Sequence, residues 1–242
     1  MDINKITPDQ VIYFHWNMLH LNATILYTWA TILIMVIGAW LITRRMSGDV
    51  SMSRWQNLME ILVQGIIKEI DHVSPDDPRR FLPFIGTLFL FILVSNIFSV
   101  VPGYLAPTAS LSTTAALAAC VFVSVPYFGI RKKGLKGYLK QYIQPTVFML
   151  PFNIMGELSR TLALAVRLFG NIMSGMKIVA ILMALVPLFF PVVMQALGLL
   201  TGVIQAYIFA VLAMVYIASA TRAQHEKQAE NQNQQIAKGE SP

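Results

Sequence analysis

The chain has 242 residues, 56% of them hydrophobic and only 12% charged, and its mean hydropathy is +0.61. A soluble domain carries roughly 25% charged residues, so this composition excludes a water-soluble globular fold and points to lipid. The net charge of +6 does not mark a nucleic-acid binder, because the cations sit in short clusters between apolar runs, the pattern of membrane loops.

In chain order, residues 1–22 are mixed and polar, lack an apolar core followed by a small-residue cleavage site, and are expected to form an external N-terminal segment. His15, Trp16 and His20 border the first apolar run and read as an interfacial belt. Residues 23–42 form a first span of about 20 residues, matched to a hydrocarbon core of about 30 Å. Thr43, Arg44 and Arg45 close it, which by the positive-inside rule puts that end in the cytoplasm and the N-terminus outside. Over 50–77, Leu58, Ile61, Leu62, Ile66, Ile67 and Ile70 recur at helical spacing, with Glu60, Gln64, Lys68 and Asp71 mainly elsewhere around the helix. This is the pattern of an amphipathic helix on the cytoplasmic surface or against a partner, ended by Pro75 and Pro78.

Residues 81–101 make the second span, entered from Arg79 and Arg80, with Asn96 and the Pro102-Gly103 pair at its far end. An uncharged external loop, GYLAPTASLS, precedes a third span over 113–129. Cys120, the single cysteine, lies in that apolar run, so no disulfide framework or thiolate metal site is available. The stretch IRKKGLKGYLKQYIQP reads as a cytoplasmic loop, with Arg131, Lys132, Lys133, Lys136 and Lys140 as a strong inside marker. From 146 to 221 the chain is apolar apart from interruptions at Pro151 and at Pro187 and Pro191, giving two long helices, 151–186 and 192–221, as an ion-path hairpin. Residues 223–242 are polar, without aromatics, and are expected as a disordered cytoplasmic tail. The fold class is an all-α polytopic membrane protein within one membrane domain over 1–222. It has five membrane helices plus one amphipathic surface helix, and the last two spans form a long tilted hairpin. No GxxxxGK[ST], GxGxxG, HExxH or GxSxG pattern occurs. The chain is therefore expected to bind no nucleotide, cofactor or metal, and any energy coupling must come from an ion gradient or from partner subunits.

The fourth span departs from this apolar pattern at LALAVRLFGNIMSG, residues 162–175. Arg167 stays charged at any accessible pH, and its placement at membrane depth costs at least about 2.5–3.5 kcal/mol. With Asn153 at zero on a helical wheel, Glu157 falls near about 40°, Arg160 about −20°, Arg167 about −40°, Asn171 about 0° and Ser174 about −60°. The polar groups thus share one stripe, which must face protein or water-filled space. Glu157 and Arg160 can pair on the helix surface. Arg167 has Ala163, Leu164, Gly170 and Asn171 as its helical neighbours, and the last helix offers only the neutral Thr201, Gln205, Tyr216 and Ser219. A snorkelling arginine or an internal ion pair is the plainer account. The sharper one is an ion pathway, or a counter-charge for a carboxylate on another subunit.

The segments FLFILVSNIFSVVPG, PTASLSTTAALA and GELSRTLALAVRLFGN, followed by IQAYIFAVLAMVYI on the next helix, resemble subunit a of the membrane sector of F-type ATP synthases over about residues 80–220. The resemblance implies that Arg167 is the stator arginine of ion translocation, Asn171 the asparagine of its motif and Gln205 the last-helix glutamine that faces it. It implies two offset half-channels; where this chain departs from the family pattern, either water with Glu157, Ser174 and Asn96 serves the access paths or the coupling ion is not a proton. The implied partners are the c-ring subunits, peripheral-stalk b subunits beside the surface helix, and the lipid bilayer, with no nucleic acid. The chain itself would be a non-catalytic, ion-translocating subunit. Several relatives carry a glutamate nine residues after the arginine, paired with a polar or titratable group on the last helix. Here Met176 and Gly198 stand at those places, with Lys177 beside Met176, so a proton relay through them is absent and the coupling ion is H+ or Na+. The expected location is a bacterial plasma (inner) membrane, since no transit segment precedes the first span. The alternative is a self-contained secondary transporter, although no inverted repeat relates 23–129 to 146–221.

Overall fold

The computed structural model describes residues 12–16, 19–44, 54–73, 78–101, 103–143, 148–185 and 190–222. The expected break at Pro75, the interruption at Pro187, the residues before Ile12 and the polar tail lie outside these. Lipid offers no partner for backbone N–H and C=O groups, so a spanning segment satisfies them internally as a helix. Five helices obey this rule: α1 (Ala23–Arg44), α3 (Pro78–Phe98), α4 (Leu111–Ile143), α5 (Met149–Leu185) and α6 (Phe190–Arg222). Each contains a stretch long and apolar enough to cross a membrane. Between the first two lies α2 (Arg54–Val73), amphipathic as its sequence predicts, resting against α3 and α6 with Ile70 buried.

The α6 helix is the centre of the packing, touching α3, α4 and α5. Its inner face places Ala206, Ala210, Ala213 and Ala218 among Phe209, Met214 and Ile217, all buried. Small side chains let helix backbones approach closely, which matters in lipid because apolar burial alone does not drive helices together. Ile85, Leu88 and Ile92 of α3, Val121 and Val125 of α4, and Leu164 and Leu168 of α5 close around it. The spans in α5 and α6 are 35 and 31 residues. At 1.5 Å per residue these measure about 52 and 46 Å against a hydrocarbon core of about 30 Å. Neither can stand upright within the bilayer core, in keeping with a tilted hairpin.

The α1 helix is peripheral, with Trp29 73% exposed. It is tied to the loop after α3 by the Tyr27 hydroxyl donating to the Gly103 carbonyl at 2.9 Å and by a Thr31–Tyr104 hydroxyl bond of 2.7 Å. The Tyr27 and Tyr104 rings meet edge-on.

Two local features differ from expectation. The basic stretch after the third span is helical rather than a loop: α4 continues to Ile143, interrupted at Gly134, whose φ of 74° is a left-handed conformation that glycine adopts without a Cβ penalty. Lysine, leucine and glutamine are good helix formers, and Tyr138 folds back to pack on Gly129. A high density of cations is a signal about membrane sidedness and says nothing against a helix. The N-terminal segment contains an antiparallel hairpin, β1 (Ile12–Trp16) with β2 (Leu19–Asn22). Its signal is the β-branched and aromatic run IYFHW.

Candidate functional site

Because α5 and α6 are consecutive, packed antiparallel helices, residues equally far from their connection face each other. Asn171 and Gln205 are such a pair, and the Asn171 Nδ2 donates to the Gln205 Oε1 at 2.6 Å. Gln205 is 2% exposed, and its Nε2 has no hydrogen-bond partner among the described residues. One turn earlier on α5, Arg167 is exposed, and no described carboxylate pairs with it. Leu164, Ala165, Leu168 and Ile172, on the neighbouring arc of the same helix, are buried. The polar stripe therefore runs along the edge of the α5–α6 seam, half turned into it and half turned out of the chain.

Toward the Arg222 end, Asn153, Glu157, Arg160, Tyr216 and Ser219 line a polar cavity of about 460 Å³ between α4, α5 and α6. Glu157 is half-buried there, about 15 Å along the helix from Arg167 at 1.5 Å per residue. The Arg160 guanidinium lies over the Tyr216 ring, 5.9 Å from its centroid, a cation–π arrangement. Toward the Phe190 end, Ser174 is exposed, with its hydroxyl turned back to the Asn171 carbonyl at 3.0 Å. Asn96 reaches the seam from α3: its Nδ2 donates to the Gly202 carbonyl at 2.8 Å, and its Oδ1 accepts from Thr108 at 2.8 Å.

The structure thus brings Asn171 and Gln205 into contact, sets Arg167 beside them, joins Asn96 to α6 one turn from Gln205, and puts Glu157 in a separate cavity. Met176 is half-buried, Lys177 and Gly198 are exposed, and no titratable group replaces the first and last of these. Sequence reasoning missed Thr108 and Gly202. A threonine in an uncharged loop and a glycine in an apolar helix carry no chemical signal until the fold joins them. Among the described residues no three His, Cys, Asp or Glu side chains gather as a metal site requires.

The structure thus defines a class, a five-span helical membrane protein with an exposed arginine on one of its apolar spans beside a polar α5–α6 contact. Residues 25–218 match the family ATP synthase A chain. The chain is 57% identical over 223 residues to ATP synthase subunit a of Albidiferax ferrireducens, covering 92% of this chain and 96% of that one. It is 57% identical over 228 residues to ATP synthase subunit a 2 of Acaryochloris marina, covering 94% and 97%, and 58% identical over 224 residues to ATP synthase subunit a 2 of a Picosynechococcus species, covering 93% and 96%. The chain belongs to the ATP synthase A chain family, as the RLFGN and QAYIF segments imply.

Proposed function

We propose that the chain is the stator subunit a of a bacterial rotary F-type ATP synthase. It passes the coupling ion to and from carboxylates on a rotating ring of c subunits, and so links ion flow to ATP synthesis or hydrolysis carried out elsewhere in the complex. The observation that carries this reading is Arg167: a permanent cation at membrane depth, exposed on the chain and unpaired with any described carboxylate. A self-contained transporter would enclose its charged groups among its own helices, and an outward-facing seam disfavours it.

The mechanism follows from electrostatics. A ring carboxylate brought to about 4 Å from Arg167 gains about 4 kcal/mol in its ionised form at an effective dielectric constant of about 20. At about 1.4 kcal/mol per pKa unit this lowers its pKa by about three units. The carboxylate releases its ion on reaching the arginine and reloads after leaving it. The polar cavity at Glu157 serves as the access path on the cytoplasmic side, and the Ser174 end of the seam serves the external side. Asn171 and Gln205 hold the polar seam on which Arg167 stands, and Asn96 joins it through the backbone of α6. With Met176 and Gly198 in place of a titratable pair, ion access depends on water and neutral side chains, and both H+ and Na+ fit. The N-terminus lies outside and the C-terminus in the cytoplasm, because Arg44, Arg79, Arg80 and Arg131 cluster at the ends assigned to one side. The exposed flank of α2 suits the peripheral-stalk b subunits.

Arg167→Ala tests the reading. In inverted membrane vesicles ATP-driven ion pumping should vanish while the complex assembles in normal amount; coupled pumping at the parental rate overturns the assignment. The purified chain reconstituted without a ring should conduct no ions, and robust flux from it would favour the transporter.

A further inference from the structure

We propose that Asn96 is a positioning residue for the ion-translocation seam: by gripping the backbone of α6 at Gly202 it holds Gln205 in register with Asn171. The proposal rests on the assignment of that seam above. Asn96 is 1% exposed and lines neither the polar cavity at Glu157 nor the outer face that carries Arg167. Its amide is committed at both ends to the protein. The Gly202 carbonyl can only accept, so the Asn96 nitrogen must face it. The oxygen then faces Thr108, whose hydroxyl must donate. Thr108 is fully buried in the 3-10 turn Pro107–Ala109, so the loop that follows α3 sets the orientation of the amide and the amide sets α6.

The grip is fitted to glycine at its far end, where an added Cβ would crowd the Asn96 side chain. A Cβ on Gly202 would come to 3.0 Å from the Asn96 Cβ and 3.2 Å from its Nδ2. Gly202 and Gln205 are three residues apart, on one face of α6 one turn removed. The Gln205 side chain makes one hydrogen bond among the described residues, the 2.6 Å contact from Asn171, so no other hydrogen bond to that side chain corrects a rotation or slide of α6. The tie from residue 96, 106 positions away in sequence, supplies that correction. A second tie, from the Gln195 Nε2 of α6 to the Val100 carbonyl just after α3 at 3.1 Å, and the apolar core that α3 and α6 share keep the two helices associated when Asn96 is changed.

The test measures register directly, in the assembled complex in membranes. In a Cys120→Ser background, Asn171→Cys and Gln205→Cys are introduced together and the rate of copper-phenanthroline crosslinking is followed. Adding Asn96→Leu or Thr108→Val should slow crosslinking about fivefold, the ratio that one net hydrogen bond of about 1 kcal/mol supports, whereas Thr108→Ser, which keeps the hydroxyl, should leave it within about twofold of the parent. On the otherwise parental chain, Thr108→Val should lower ATP-driven pumping as Asn96→Leu does. Unchanged crosslinking with Asn96→Leu overturns the proposal: if pumping falls nonetheless, Asn96 handles the ion itself, and if pumping is unaffected it does neither. Slower crosslinking with Asn96→Leu but not with Thr108→Val would also overturn the Thr108 link. The crosslinking rate does not depend on ion coupling, so this outcome and that of Arg167→Ala are read separately.

Discussion

Replacing Asn171 by leucine removes the hydrogen bond that joins α5 to α6 at Gln205. The Asn171 amide donates the 2.6 Å bond to Gln205, and Gln205 is 2% exposed with its Nε2 already unpartnered among the described residues. In Asn171→Leu the whole Gln205 amide is left without a described partner. Stranding a buried polar group costs about 1–3 kcal/mol in soluble proteins, whereas hydrogen bonds between membrane helices average about 0.6 and reach about 1.7. The expected loss is therefore about 1–2 kcal/mol, above the membrane average because a full amide is stranded and below the soluble extreme because half of that amide is unpartnered in the parent too. The double variant Asn171→Leu/Gln205→Leu removes both partners, and an apolar pair of similar volume can be nearly neutral. Its stability should return to within about 0.5 kcal/mol of the parent, a departure from additivity that marks two residues in contact, while ATP-driven pumping stays lost. Thermal unfolding of the detergent-purified complex gives the first quantity and fluorescence quenching in inverted vesicles the second. A single variant as stable as the parent, or a double variant whose loss is the sum of the two singles, would refute this account of the seam.

Gly129→Ala should perturb the kink at Gly134 within α4, because the added Cβ would meet the Tyr138 ring at 2.6 Å. The expected cost is about 1–3 kcal/mol, with faster proteolytic nicking after Lys136. Tyr104→Phe should cost about 0.5–1.5 kcal/mol by removing the hydroxyl bond to Thr31. Burial pushes the Tyr104 phenol above its ordinary value of 10.0, with the Thr31 bond partly offsetting it. Its contribution is thus fully present below about pH 10 and lost as pH rises through the folded value. The thermal midpoint of the purified chain should fall above about pH 10 in the parent and less steeply in Tyr104→Phe; equal slopes would remove Tyr104 from the explanation.

Much of the architecture was legible because lipid simplifies the code. A run of about 20 apolar residues has few alternatives to a spanning helix, and the helical recurrence of Ile61, Leu62, Ile66 and Ile70 among polar residues separated the surface helix from the spans. Arg167 was conspicuous for the same reason, since a charge at that depth has a large cost to explain. The basic stretch after the third span was less legible: its cations bear on the side of the membrane, while the kink at Gly134 and the packing of Tyr138 on Gly129 are tertiary features. The stripe could be placed on one face of α5 from spacing alone. Whether that face looked into the chain or out of it could not.

What the sequence determined by itself is the set of helices, the clustering of charge at their ends, and the absence of an acidic residue three or four positions from Arg167. These are local or compositional properties, governed by the cost of backbone and charge in hydrocarbon. What only the tertiary structure decided is the seam: that Asn171 meets Gln205, that the cavity at Glu157 is separate from it, and that Asn96 and Thr108 reach α6 at Gly202. Those contacts join residues up to 106 positions apart through neutral groups and a glycine. Their meaning arises only when helix rotation and approach bring a donor within reach of an acceptor that has no other partner.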